Sequence, residues 1–202
     1  LGHLYEGEHR LDDALQLTRR AVFAAQSAGA PESLYRWQWQ SGRLLTRLGS
    51  LDGALSAYQE AAATLQPIRA EVAFSSHGSL DPARQSIRSL YIELADLLLQ
   101  RAALMTEDSE AGLYLKAARD AIEAYKAAEL RDYFRDDCVD QMQARVTKLD
   151  AVSPETAIIY PIIFSDRTEL LVSFPDGLRR HSVPVTAAAL TAEIRSFRRM
   201  LE

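Results

Sequence analysis

With 202 residues, 48% of them hydrophobic and 25% charged, the chain is long enough and apolar enough for one sizeable folded domain, or for a repeat array with a small appendage. A net charge of -5 argues against a general nucleic-acid binder, which needs surplus Lys and Arg facing phosphate. No apolar run approaches the roughly 20 residues that span a bilayer, no basic-then-apolar leader opens the chain, and the single cysteine, Cys138, rules out an internal disulfide; a cytoplasmic location is expected.

Leu1-Gly2-His3-Leu4-Tyr5 looks like the middle of a helix without the residues that start one, as in a piece of something longer. Leu11 to Ala25 reads as a helix with Ala14 and Ala21 at small positions and Thr18 between them. Ala28-Gly29-Ala30-Pro31 closes it, and Pro31 suits the first turn of the next helix. Leu34 to Leu65 reads as two antiparallel helices joined by the turn Leu48-Gly49-Ser50-Leu51. Leu34, Trp37, Ser41, Leu44, Leu45 and Leu48 recur three or four apart on the first, and Ala54, Leu55, Tyr58, Ala61, Ala62 and Leu65 on the second, so each carries one apolar stripe. Gly42, Ala54 and Ala61 are small where the pair must approach closely, and Tyr58 is large enough to fill the space toward a neighbouring hairpin. A hairpin of this kind cannot bury its stripe alone, so the rest of the chain should supply stacking partners.

From Pro67 to Pro82 the period lapses, and Ser75-Ser76-His77-Gly78-Ser79 is a loop signal; an insertion, a lid or a crossover would all read this way. Helical periodicity returns from Ile87 to Met105 with a wide apolar face, then from about Glu110 to Leu130. In the latter, Ala121-x3-Tyr125-x2-Ala128 repeats the spacing of Ala54-x3-Tyr58-x2-Ala61. Phe134, Cys138, Met142, Val146 and Leu149 continue at near-helical spacing and predict a helix capping the stack. At Ser153-Pro154 the period changes. Ala157 to Phe164, Glu169 to Phe174 and Leu178 to Val185 read as three strands separated by turns at Ser165-Asp166-Arg167 and Pro175-Asp176-Gly177, with Leu170, Val172 and Phe174 on one side. Pro161 favours a strand edge or a bulge over a fully paired centre. Thr186 can cap a last helix with Leu190, Ile194, Phe197 and Leu201 on one face and Arg195, Arg198 and Arg199 largely on others, expected to pack on the sheet; exposure of its apolar side would drive self-association.

The small-x3-aromatic-x2-small spacing and the hairpin around it resemble the tetratricopeptide repeat (TPR), lengthened here, since Ala14 and Ala54 stand 40 positions apart against a period of about 34. Together with residues 89–99, residues 128–138, Ile159-Tyr160-Pro161-Ile162, Glu169-Leu170-Leu171-Val172 and Val183-Pro184-Val185, the chain resembles bacterial TPR-CHAT proteins, in which a TPR array precedes a caspase-like domain. The resemblance implies a mainly α fold: a TPR-type α-α superhelix with its capping helix over residues 1–150, then over 151–202 the first part of a CHAT domain, a three-stranded antiparallel β-meander plus one helix. It also implies a protein- or peptide-binding regulatory module of a cysteine-peptidase-like protein, partnered in cis by the downstream CHAT domain; the alternative is a non-catalytic scaffold or oligomerisation module.

The Cys nucleophile and His base of such a peptidase would follow core strands beyond the meander. Cys138 precedes the meander on a periodic helix face and reads as a packed thiol, and His181 has no cysteine after it, so these residues are not expected to catalyse. His3, His9, His77 and His181 are scattered without metal-ligand spacing, no Gly-rich loop opens a helix after a strand, and no metal or cofactor is expected. The Asp136-Asp137-Asp140 and Glu107-Asp108-Glu110 clusters read as solvated helix ends. In TPR proteins the first helix of each repeat lines the concave face. Arg36, Gln40, Arg43 and Arg47 form a polar stripe on such a helix with Trp39 beside it, and Ile92, Glu93, Asp96 and Gln100 are the corresponding positions two helices on. The arginines could fork onto a carboxylate of a partner peptide; a solvated face laced with ion pairs is the other reading. The Lys and Asn pair of carboxylate-clamp repeats is missing.

Overall fold

The computed structural model describes residues 10–74, 82–134, 157–174 and 176–201. By packing, the chain divides into two compact units, Leu1–Arg101 and Ala102–Glu202, a different cut from the change of sequence period near residue 151. Helices α1 (Leu11–Ser27), α2 (Pro31–Arg47), α3 (Leu51–Phe74) and nearly all of α4 (Pro82–Ala103) lie in the first. Helix α5 (Asp108–Phe134), strands β1 (Ile158–Ile163), β2 (Thr168–Phe174) and β3 (Gly177–Val183), and helix α6 (Ala187–Leu201) lie in the second. The described fold is thus mainly helical with one small three-stranded sheet. The predicted capping helix with Cys138, and the Ser75 to Ser79 loop with His77, fall outside the described residues, as do His3 and His9.

In the first unit one device ends both α1 and α2. Gly29 and Gly49 take φ values of 60° and 76°, a left-handed backbone that costs glycine little. The amide after each glycine turns back onto the helix: Ala30 N–H donates to the Ala25 carbonyl and Ser50 N–H to that of Leu45, both of which the helix would otherwise leave without a donor. Pro31 occupies the first turn of α2, where its missing N–H costs nothing. Ala14, Leu15 and Leu44 form a core cluster against which Leu11 and Leu45 pack. Thr18 is buried beside them because its hydroxyl donates to the Ala14 carbonyl at 2.8 Å.

The predicted close approach of α2 and α3 is present. A methyl group on Gly42 would stand 2.6 Å from Tyr58 Cε2 and nearer still to Cδ2, so the ring lies directly on the α2 backbone; Ala54 and Ala61 are fully buried. Two expectations fail. Burial on α2 is wider than the single stripe, taking in Tyr35 and Gln40 while Leu48 is exposed, because α2 packs against α1 and α3 at once. Nor does the helical pattern end at Pro67: α3 runs through it to Phe74. Pro67 withdraws one N–H from the helix ladder, but Leu65, Arg69 and Val72 remain buried on either side, and that packing outweighs the local loss.

In the second unit β1, β2 and β3 form an antiparallel meander in that order, paired Tyr160 to Leu171 to Arg180. Pro161 is exposed on the edge strand β1, as its lost N–H requires. The buried face carries Glu169, Leu171 and Ser173, not the more apolar Leu170, Val172 and Phe174. The reason is position: α5 lies against β3 and sets the Arg119 guanidinium over Tyr160, which shares the Leu171 face. On α5 itself Leu115, Ala118 and Ile122 are buried, whereas Tyr125 is half-buried and donates to Glu129 of its own helix, unlike its sequence counterpart Tyr58. Thr186 caps α6 as predicted, accepting from the Ala189 N–H at 3.1 Å. The helix is fastened at its start, where the Ala187 N–H donates to the Phe164 carbonyl. It does not pack on the sheet, whose covered face α5 already occupies, and none of its described residues is buried.

Candidate functional site

Three helices of the first unit meet at one carboxylate. Glu93, in the middle of α4, accepts at Oε2 from the Trp39 indole N–H of α2 and from the Tyr58 hydroxyl of α3, each at 2.7 Å. The sequence separations are 54 and 35 residues, so this contact depends on the packing of separate helices and not on local helix geometry. Tyr58 is 3% exposed, and burial followed by the neighbouring Glu93 charge pushes its pKa well above the usual tyrosine value. The phenol therefore stays a donor.

Arg43 lies one turn beyond Trp39 on α2 and lays its guanidinium over the indole, 4.6 Å from the ring centroid. Its Nε is buried and has no hydrogen-bond partner. Glu93 thus fixes the indole, and the indole carries the guanidinium. On α4 the next turn holds Asp96, which accepts from the Gln100 side chain at 2.8 Å.

Of the predicted surface residues, Trp39, Arg43 and Glu93 are brought together in this way, with Asp96 and Gln100 following on α4. Ile92 is half-buried. Arg36 is exposed, donating from Nε to the Tyr35 hydroxyl at 3.3 Å, and Arg47 is exposed at the C-terminal end of α2. Gln40 does not belong to a solvent-facing stripe: it is 1% exposed, drawn inside by the packing of α2 on two sides. Tyr58 was absent from the predicted site. Its signal was chemical, since a large phenol at a core position needs an acceptor for its O–H, but the sequence does not say which carboxylate supplies it.

The second unit holds another buried carboxylate. Glu169 is 0% exposed, and its two oxygens accept from Arg180 at 2.6 and 2.8 Å, from Arg167 at 2.6 Å and from the Ser182 hydroxyl at 3.2 Å. Burial alone would raise its pKa; the hydrogen bonds and charges of Arg180 and Arg167 outweigh that and hold it below the ordinary carboxylate range. With both oxygens engaged by side chains of β3 and of the turn before β2, this cluster fixes strand register. His181 is exposed on β3. Among the described residues no group of three or more His, Cys, Asp and Glu is placed to hold a metal ion, and no helix is long and apolar enough to cross a membrane.

No protein-family model, curated protein or solved structure matches the chain.

Proposed function

We propose that the helical part of the chain is a TPR-type array that binds a segment of a partner protein, and that the meander with α6 is the opening part of a CHAT-type domain which the array serves as a regulatory module. In this reading these residues bind and do not catalyse. The observation that carries it is the junction of Trp39, Tyr58 and Glu93 with Arg43 over the indole, because aromatic and arginine side chains are the residue types enriched where proteins meet their partners. The test is to present the full chain to an array of immobilised random peptides, alongside a W39A/R43A variant. Selective capture of a subset of peptides, lost in the variant, is expected; capture of nothing, or identical capture by the variant, contradicts the proposal.

The second reading, a scaffold or oligomerisation module, is favoured by α6. Ile194, Phe197, Met200 and Leu201 are all more than half exposed on one amphipathic helix. Sedimentation of the full chain at rising concentration tests it: self-association abolished by F197E supports a scaffold, and a monomer throughout removes this reading.

A further inference from the structure

Four polar residues, Arg36, Gln40, Arg43 and Arg47, share one stripe of α2 in the sequence, yet the structure treats them differently. Gln40 is interior, Arg36 is engaged with Tyr35, and Arg47 sits in the last turn, where it faces the negative end of the helix dipole. Arg43 alone is braced by an aromatic ring that is itself braced by a carboxylate. Its guanidinium lies over the Trp39 ring, its Nε is buried without an acceptor, and neither an ion pair nor a hydrogen bond to a described residue engages its terminal nitrogens. Glu93 does not form an ion pair with Arg43, because its bonded oxygen is turned to Trp39 and Tyr58.

From this geometry we infer that Arg43 is the carboxylate-reading residue of the peptide surface, that the partner segment is acidic, and that Trp39 and Glu93 are positioning residues which aim Arg43. The inference rests on the binding function proposed above and narrows it to a ligand class. A guanidinium offers two parallel N–H donors at its edge and pairs with the two oxygens of a carboxylate. Orientation decides how much of that energy is available for binding: a free arginine side chain must give up rotamer freedom first, whereas one stacked on a fixed indole has already done so. An aspartate or glutamate side chain and a free peptide C-terminus present the same chemistry to this edge.

Glu93 supplies a discriminating sign. As a bare negative charge near the site it opposes an acidic ligand, so removing it would tighten binding. As the residue that fixes Trp39 it favours the ligand, so removing it weakens binding. The aiming role predicts the second outcome.

The experiment is fluorescence anisotropy of the full chain with three labelled hexapeptides: alternating Ala and Asp as the free acid, the same sequence C-terminally amidated, and alternating Ala and Lys. The acidic peptides are expected to bind and the basic one not to. R43Q should weaken acidic binding by about tenfold or more, as expected for losing a charge-assisted bidentate contact. E93A should weaken it too, with E93Q, which keeps an oxygen acceptor for the indole N–H, restoring most of it; R47Q should change it far less. Retention of affinity by the amidated peptide assigns the carboxylate to side chains, and its loss assigns it to the C-terminus. The Trp39 indole N–H resonance should shift on titration in the wild-type chain and in E93Q. Undiminished binding by R43Q overturns the inference, as does tighter binding by E93A. Binding of the basic peptide alone overturns it while leaving the array a peptide receptor. Capture of nothing by this assay and by the random-peptide array overturns both.

Discussion

Glu93 serves two donors with one oxygen, and that makes Tyr58 a residue whose loss is felt in two ways. Tyr58→Phe removes a hydrogen bond to a charged acceptor in a largely buried setting and should cost about 1–2 kcal/mol of stability at neutral pH. Its pKa is raised in the fold, so the folded state holds the phenol proton more tightly than the unfolded chain does. That contribution is complete below the unfolded value of about 10 and is lost as pH rises beyond it, so the alkaline decline in stability should be shallower in Y58F than in wild type. Urea denaturation as a function of pH checks this; parallel alkaline limbs would contradict it. Glu169 runs the other way. Its folded pKa is lowered, so its contribution is present above the unfolded value of about 4.3 and disappears as pH falls through the folded one. Glu169→Gln leaves Arg167 and Arg180 facing a neutral, buried partner and should cost about 3 kcal/mol at neutral pH while flattening the acid limb. The same denaturation series reads both effects, and an E169Q chain as stable as wild type would show that the cluster adds nothing.

At the scale of elements, α3 carries a proline in its interior, and the helix survives because packing on both sides outweighs a missing N–H. Pro67→Ala should restore one helix hydrogen bond and raise stability by up to about 3 kcal/mol. A fall in melting temperature would mean instead that the proline shapes the helix in a way its packing needs. This helix marks where the sequence stops being legible. Periodicity located the described helices and strands, and Gly29, Gly49, Pro31, Pro161 and Thr186 took the turn, cap and edge positions that their chemistry dictates. Proline at position 67 read as a boundary because the local rule is strong, and only tertiary burial of Leu65, Arg69 and Val72 overrides it. The covered face of β2 is not legible for a similar reason: Leu170, Val172 and Phe174 are the more apolar set, but which side meets α5 is decided by another element. In the candidate site Trp39, Arg43 and Glu93 were visible as surface positions on two helices. Their junction through Tyr58 was not, since contacts across tens of residues leave no trace in spacing.

On the scale of the whole molecule, the proposed receptor surface belongs to the helical unit, on α2 and α4 around Glu93, and not to the meander or to the exposed face of α6. Each unit has a core of its own, with Leu44, Leu65, Leu90 and Leu99 in the first and Ile162 and Leu171 in the second. Hydrogen–deuterium exchange of the full chain, with and without the acidic hexapeptide at saturating concentration, tests this most directly. The account predicts the largest added protection in peptides covering residues 36–47 and 89–100. Protection confined to the strands or to α6, or the absence of any change while anisotropy reports the peptide bound, would contradict it.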